Sequence, residues 1–162
     1  MANNIQIKAV VVSVSDTRDE KTDVSGVTLV GLLIGIGAEI IEKIIVTDEY
    51  ENLRQTLHAL TQRNDVNLII TTGGTGLAKR DNTPEATSAV IEREVPGIGE
   101  AMRFQTMKNT PTAMLSRGMC GAKNQTLIIN LPGSPKAVQE CFAVIKPVLQ
   151  HAVNQISGQT YH

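Results

Sequence analysis

The chain has 162 residues, a formal net charge of -1 and only 2% aromatic residues, with no Trp. That balance, without clusters of Lys and Arg, excludes the electrostatic footprint of a nucleic-acid or acidic-membrane binder. Two cysteines and no pair of histidines at ligand spacing exclude a Cys-rich zinc centre, and no apolar run reaches the ~18 residues of a membrane span.

The length predicts one domain, with a core built from Val, Ile, Leu and Ala. Stacking of a base or pterin could fall only to Phe104, Phe142, Tyr50 or Tyr161. Met1 to Lys8 is too short and polar for a signal h-region. The expectation is a cytoplasmic protein whose cysteines, Cys120 and Cys141, are reduced and buried.

In chain order, Ile5 to Val14 reads as a strand buried on both faces. Asp16 to Ser25 reads as an exposed loop, and Val27 to Ile36 as a helix weakened by Gly31 and Gly35. Glu39 to Val46 is a second strand, Glu51 to Arg63 a helix with Leu53, Leu57 and Leu60 on one face, and Leu68 to Thr72 a third strand. Thr83 followed by Pro84 predicts a helix start that runs to about Val95 and stops at Pro96-Gly97. A further helix is expected over Ile98 to Lys108 and a short helical turn from Pro111 to Ser116. Gly118 to Ala122 and Thr126 to Leu131 read as a hairpin. Ser134 and Pro135 open a last helix, which Pro147 is expected to kink or split. Strands alternating with helices predict a three-layer α/β/α sandwich on a mostly parallel sheet.

Ligands of open parallel sheets bind beyond the carboxyl ends of the strands. The turns there are Ser13 to Asp16, Thr47 to Glu49, Thr71 to Asp81 and Leu131 to Ser134. The run Thr72-Gly73-Gly74-Thr75-Gly76 lets backbone N–H groups face an anion, with Lys79, Arg80 and the helix start at Thr83 adding positive charge. It has neither the Walker spacing nor Gly-x-Gly-x-x-Gly. Asp81, set among these groups, reads as an anchor for Mg²⁺ shared with phosphates, and Asp48 as the second carboxylate or a helix cap. Pro132-Gly133-Ser134 offers another phosphate seat, Ser13, Ser15 and Asp16 a polar ring, and Ser116-Arg117 a hydroxyl and a guanidinium. No histidine lies near these turns, which speaks against a catalytic triad.

Five blocks then resemble one family: Val12 to Asp16, Thr72 to Gly76, Arg80 to Thr87, Pro111 to Arg117, and Leu127 to Gly133. The chain is similar, from about Val10 to Gly158, to the MogA/MoaB family, which includes the gephyrin G domain. The resemblance implies a molybdopterin-binding fold, usually trimeric. It also implies molybdenum cofactor biosynthesis by transfer of AMP from Mg·ATP to the terminal phosphate of molybdopterin, with release of pyrophosphate. Asp48 and Asp81 match the family's catalytic aspartates. The glycine loop, Ser116 and the turn at Pro132 and Gly133 match its ligand-contacting positions; Arg80, Thr83 and Ser134 complete the expected ligand-binding set. Asn82 stands where an apolar residue is common. A molybdenum-insertion enzyme is the implied partner. A catalytically silent carrier of molybdopterin is the alternative, which retention of both aspartates disfavours.

Overall fold

Six strands form one sheet in the order β2-β1-β3-β6-β5-β4 in a computed structural model, which describes residues 3–159. Tyr161 lies outside the described residues. The strands are β1 (Lys8–Val14), β2 (Glu39–Val46), β3 (Leu68–Thr72), β4 (Arg93–Glu94), β5 (Cys120–Lys123) and β6 (Thr126–Leu131). β2, β1, β3 and β6 run parallel; β5 returns antiparallel to β6 and carries β4 at its edge.

The period-two alternation of strand side chains divides the core in two. Ala9, Val11, Leu68, Ile70, Leu127 and Ile129 face one layer of helices: α1 (Val24–Gly35), α4 (Pro96–Thr106) and α5 (Pro135–Ile156). Val10, Val12, Ile69 and Ile128 face the other layer, α2 (Tyr50–Thr61) and α3 (Thr83–Val90). The expected three layers are therefore present. β1 lies between β2 and β3, so the chain leaves β1 to one side first and to the other later. That reversal opens a crevice beyond the carboxyl ends of β1 and β3.

Four local expectations are corrected. The helix after the glycine turn ends at Val90, because Ile91 is extended and Arg93 and Glu94 pair with Ala122 and Gly121. Thr83 is not that helix's cap: Asn82 occupies the cap position, and its side chain makes no capping bond to the helix. Pro147 does not split α5, which is continuous from Pro135 to Ile156; its ring sits on the exposed face, where water can serve the carbonyl left without a donor. The segment from Asp16 to Ser25 is not wholly exposed either. Asp23 and Ser25 are buried, and the Asp23 carboxylate accepts from the Gly26 N–H at 3.1 Å, capping a helix that begins at Val24.

Candidate active site

Each of the first three parallel strands ends in a segment that carries an aspartate. Asp16 follows β1, Asp48 follows β2 and Asp81 follows β3. The backbone N–H of Asp16 donates to Asp48 Oδ2, and that of Asp48 to Asp16 Oδ1, both at 3.0 Å. Arg80 Nη2 donates to Asp16 Oδ1 at 2.9 Å, and this guanidinium, with the Asp48 amide, holds the Asp16 carboxyl below its ordinary range. Asp48 has no ion-pair partner among the described residues. Burial, then the charge of Asp16 and that of Asp81, push its carboxyl above the usual aspartate value. Negative charge is therefore in excess here, with Asp16 neutralised and the other two carboxylates not.

The glycine loop is shaped by contacts that tolerate no side chain. Gly73 has φ +102°, and a Cβ on it would stand 2.4 Å from the Val14 carbonyl oxygen. Gly74 has φ +68°, and a Cβ there would meet Thr83 Oγ1 at 2.3 Å and Asp48 Oδ1 at 3.4 Å. Both backbone angles belong to the left-handed region, open to glycine at little cost. Thr83 fastens the loop from below: its hydroxyl donates to the Gly73 carbonyl at 2.9 Å and its N–H to the Gly74 carbonyl at 3.1 Å. Arg117 fastens it from the side, through Nε to the Gly76 carbonyl at 2.9 Å, Nη2 to the Asp81 carbonyl at 2.7 Å, and an ion pair with Glu85. Asp81 Oδ2 accepts from the Ala78 N–H at 3.0 Å, which leaves Oδ1 with no hydrogen bond among the described residues.

The turn after β6 is laid against this loop. Gly73 donates its N–H to the Leu131 carbonyl at 3.1 Å, and Thr72 Oγ1 donates to the Pro132 carbonyl at 2.7 Å. A cavity of about 460 Å³ opens between the two turns, α4, the 3₁₀ turn Pro111–Leu115 and the start of α5. Gly74, Thr75, Gly76, Asp81, Ser116, Pro132, Gly133 and Ser134 line it, with Met102, Thr106 and Asn130 on its walls. The Thr75 hydroxyl has no hydrogen-bond partner among the described residues and is free for a ligand.

The anticipated residues thus divide. Thr75, Gly74, Gly76, Asp81, Ser116 and the Pro132–Ser134 turn reach the cavity; Asp16, Asp48 and Arg80 form a polar cluster outside it, across Gly74. Ser13, Thr72 and Thr83 are buried with their hydroxyls engaged inside the protein, so they shape the turns from behind. Ser13 in particular donates to Asp23 at 2.6 Å rather than to an open ring. Ser15 stays in its own loop, accepting from the N–H groups of Thr17 and Arg18. Asn82 bridges the Asp48 and Arg80 carbonyls through Nδ2, both at 3.3 Å.

Sequence reasoning missed Asp23, Lys43 and Asn130. The Asp23 carboxylate takes Lys43 Nζ at 2.8 Å; burial alone would raise its carboxyl, but Lys43 and Ser13 hold it below the ordinary range. Its legible signal was an Asp directly before an apolar helical run. Asn130, mid-strand and buried, donates to the hydroxyls of Thr71 and Thr87 and accepts from the Met119 N–H, closing the sheet side of the cavity. Among the described residues no group of three or more His, Cys, Asp or Glu is set to hold a metal by itself. Two carboxylates and substrate phosphates are nonetheless a sufficient set for Mg²⁺.

The comparisons agree with this fold. Residues 10–151 match the sequence family described as "probable molybdopterin binding domain". The chain is 43% identical over 151 residues to the molybdenum cofactor synthesis protein cinnamon of Drosophila melanogaster, covering 90% of this chain and 25% of that one. It is 45% identical over 114 residues to a molybdopterin adenylyltransferase of Helicobacter pylori, covering 70% and 65%. The matched segments thus span less than two thirds of these curated relatives. Among solved structures, a MoaB from Thermus thermophilus superposes with TM-score 0.88 at 40% identity, covering 97% of this chain and 100% of that one. A molybdenum cofactor biosynthesis protein B gives TM-score 0.91 at 35% identity, covering 98% and 100%. The family match takes in most of β1, all of β2 to β6, both turns and all three aspartates, and the chain belongs to the molybdopterin-binding domain family of molybdenum cofactor biosynthesis proteins.

Proposed function

We propose that this chain is a molybdopterin adenylyltransferase: it transfers AMP from ATP to the terminal phosphate of molybdopterin, giving adenylyl-molybdopterin and pyrophosphate. The observation that carries the reading is the position of Gly74, with the cavity on one side and Asp48 on the other. Two polyanions seated on either side of that ridge would meet over Asp48 and Asp81.

The donor set fits Mg²⁺: two carboxylates with no ion-pair partner among the described residues, one pushed up by burial and by neighbouring negative charge, beside turns suited to phosphates. When bound there, the ion would neutralise phosphate charge and hold ATP in line. The chain's own residues do the rest. Free amides at the glycine loop and at the α5 start receive phosphate oxygens. Arg80, held by Asp16, keeps a positive charge at the rim. A terminal phosphate is already largely ionised at neutral pH, with its second pKa near ~6, so no general base is needed. Its oxygen forms the bond to the α-phosphorus of ATP as the α–β bridging bond breaks and pyrophosphate leaves. Positioning and charge neutralisation therefore account for the acceleration.

The whole chain is read as a single molybdopterin-binding unit acting in the cytoplasm, as a homotrimer, and passing its product to a molybdenum-insertion enzyme. Ser13, Thr72, Gly73 and Thr83 support the ligand sites, while Thr75, Ser116, Gly133 and Ser134 touch ligand. The test is incubation with molybdopterin and Mg·ATP. Pyrophosphate release with adenylyl-molybdopterin is expected; binding of molybdopterin with neither product would make the chain a carrier, and ATP consumption without molybdopterin a hydrolase.

A further inference from the structure

The carbonyl of Gly133 is held from behind by two side chains that do not reach the cavity. Ser25 Oγ donates to it at 2.6 Å and Arg18 Nη2 at 3.0 Å. Arg18 Nη1 also donates to Ser25 Oγ at 3.3 Å, so the two donors support one another. Both are anchored at the start of α1: Ser25 is fully buried, and Arg18 stands 4.0 Å from the Asp23 carboxylate that caps the helix.

A trans peptide points its carbonyl and its N–H to opposite sides of the chain, and no peptide bond among the described residues is cis. Fixing the Gly133 carbonyl toward Ser25 and Arg18 therefore aims the Ser134 N–H the other way. Fixing the Pro132 carbonyl toward Thr72 does the same for the Gly133 N–H. The cavity lies on that opposite side, since Gly133 and Ser134 line it while Ser25 and Arg18 do not. Neither N–H has an acceptor among the described residues. Two successive amides thus face the cavity, at the positive end of the 22-residue helix α5.

Resting on the function proposed above, we infer that Ser25 and Arg18 are positioning residues for the phosphate-bearing ligand of this turn. They touch no substrate. They set the orientation of the Gly133–Ser134 peptide, whose rotation would swing its N–H out of line. Their role is invisible in sequence because Gly133 lies 108 residues from Ser25.

The experiment is direct titration of Mg·ATP and of molybdopterin into the native protein and into Ser25→Ala, Ser25→Thr, Arg18→Met and the double variant Ser25→Ala with Arg18→Met. Ser25→Ala is expected to weaken one of the two ligands about tenfold, the size of one net hydrogen bond, and to leave the other within about twofold. Ser25→Thr, which keeps the hydroxyl, restores affinity. The double variant falls short of the product of the single effects, because both donors act on one carbonyl. Unchanged affinity for both ligands in Ser25→Ala, or an equal loss for both that follows the melting temperature, overturns the inference. Should Ser25→Ala not fold, Arg18→Met decides by the same criteria, its side chain being 31% exposed. Absence of adenylyl transfer by the native protein sinks the proposed activity, while ligand affinities still judge the positioning role. Native turnover with unaffected variants sinks only the latter.

Discussion

Asp16 and Asp48 each accept the other's backbone N–H at 3.0 Å, which fixes the ends of β1 and β2 face to face and holds two carboxylates at short range. Arg80 goes to Asp16, so Asp48 bears the electrostatic cost of the arrangement. A site built for cations can be unfavourable to the fold that carries it.

Replacing Asp48 by Asn is therefore expected to abolish turnover and raise stability at neutral pH. The carboxyl of Asp48 is shifted up in the folded protein, so the fold favours its protonated form. That contribution is complete below the unfolded value of about 3.9 and is lost as pH rises through the folded value. Asp48→Asn removes this loss. Its melting temperature at pH 7 should exceed that of the native protein by roughly 2–4 °C for each 1 kcal/mol relieved, and the gap should close near pH ~4. Thermal melts at both pH values check it; a lower midpoint at pH 7 would contradict the assignment.

Asp81→Asn should behave differently. An asparagine carbonyl can keep the bond to the Ala78 N–H, so the loop and the melting curve are preserved. Turnover should fall about 10²–10³-fold, as when one preorganised electrostatic group is lost. Steady-state pyrophosphate release beside circular dichroism measures both; full activity with Mg²⁺ would remove Asp81 from the metal's reach.

Two glycines should respond oppositely to alanine. Gly73→Ala sets a methyl against the Val14 carbonyl at a left-handed angle, and should cost about 2–4 kcal/mol, combining backbone strain of ~1–3 kcal/mol with the clash. Gly31, exposed in α1 with nothing within 4 Å, should gain up to about 1 kcal/mol from the same change. Urea denaturation of both variants provides the comparison.

Ser13→Ala tests whether that serine supports the fold or the ligand. It removes a 2.6 Å donor from the buried Asp23 carboxylate and should cost about 1–3 kcal/mol. Substrate affinities of the folded fraction should stay within about twofold. A selective loss of one ligand would return Ser13 to the binding surface.

Much of this was legible because local signals and burial agreed. The β-branched runs of β1, β3 and β6 and the Leu face of α2 announce a buried parallel sheet with helices on it. The misread end of the helix after the glycine turn has a long-range cause: a contact distant in sequence overrides local preference. Ile91 to Val95 has residues that suit a helix, yet the open edge of β5 takes Arg93 and Glu94 into the sheet. Gly121 permits the approach, since a Cβ there would lie 2.8 Å from the Arg93 carbonyl. Arg117 resembles a phosphate ligand in sequence, but folding directs its guanidinium to two loop carbonyls and Glu85. Hydroxyls raise the same difficulty: nothing in the sequence separates the engaged Thr72 and Thr83 from the free Thr75.

The ridge at Gly74 also has an evolutionary reading. Asp16 and Asp48 come from the first third of the chain, whereas α4, the 3₁₀ turn and α5, which wall the cavity, come from residues 96–156. Reshaping the cavity for another ligand would leave those two carboxylates undisturbed, and only Asp81 would feel a change on either side.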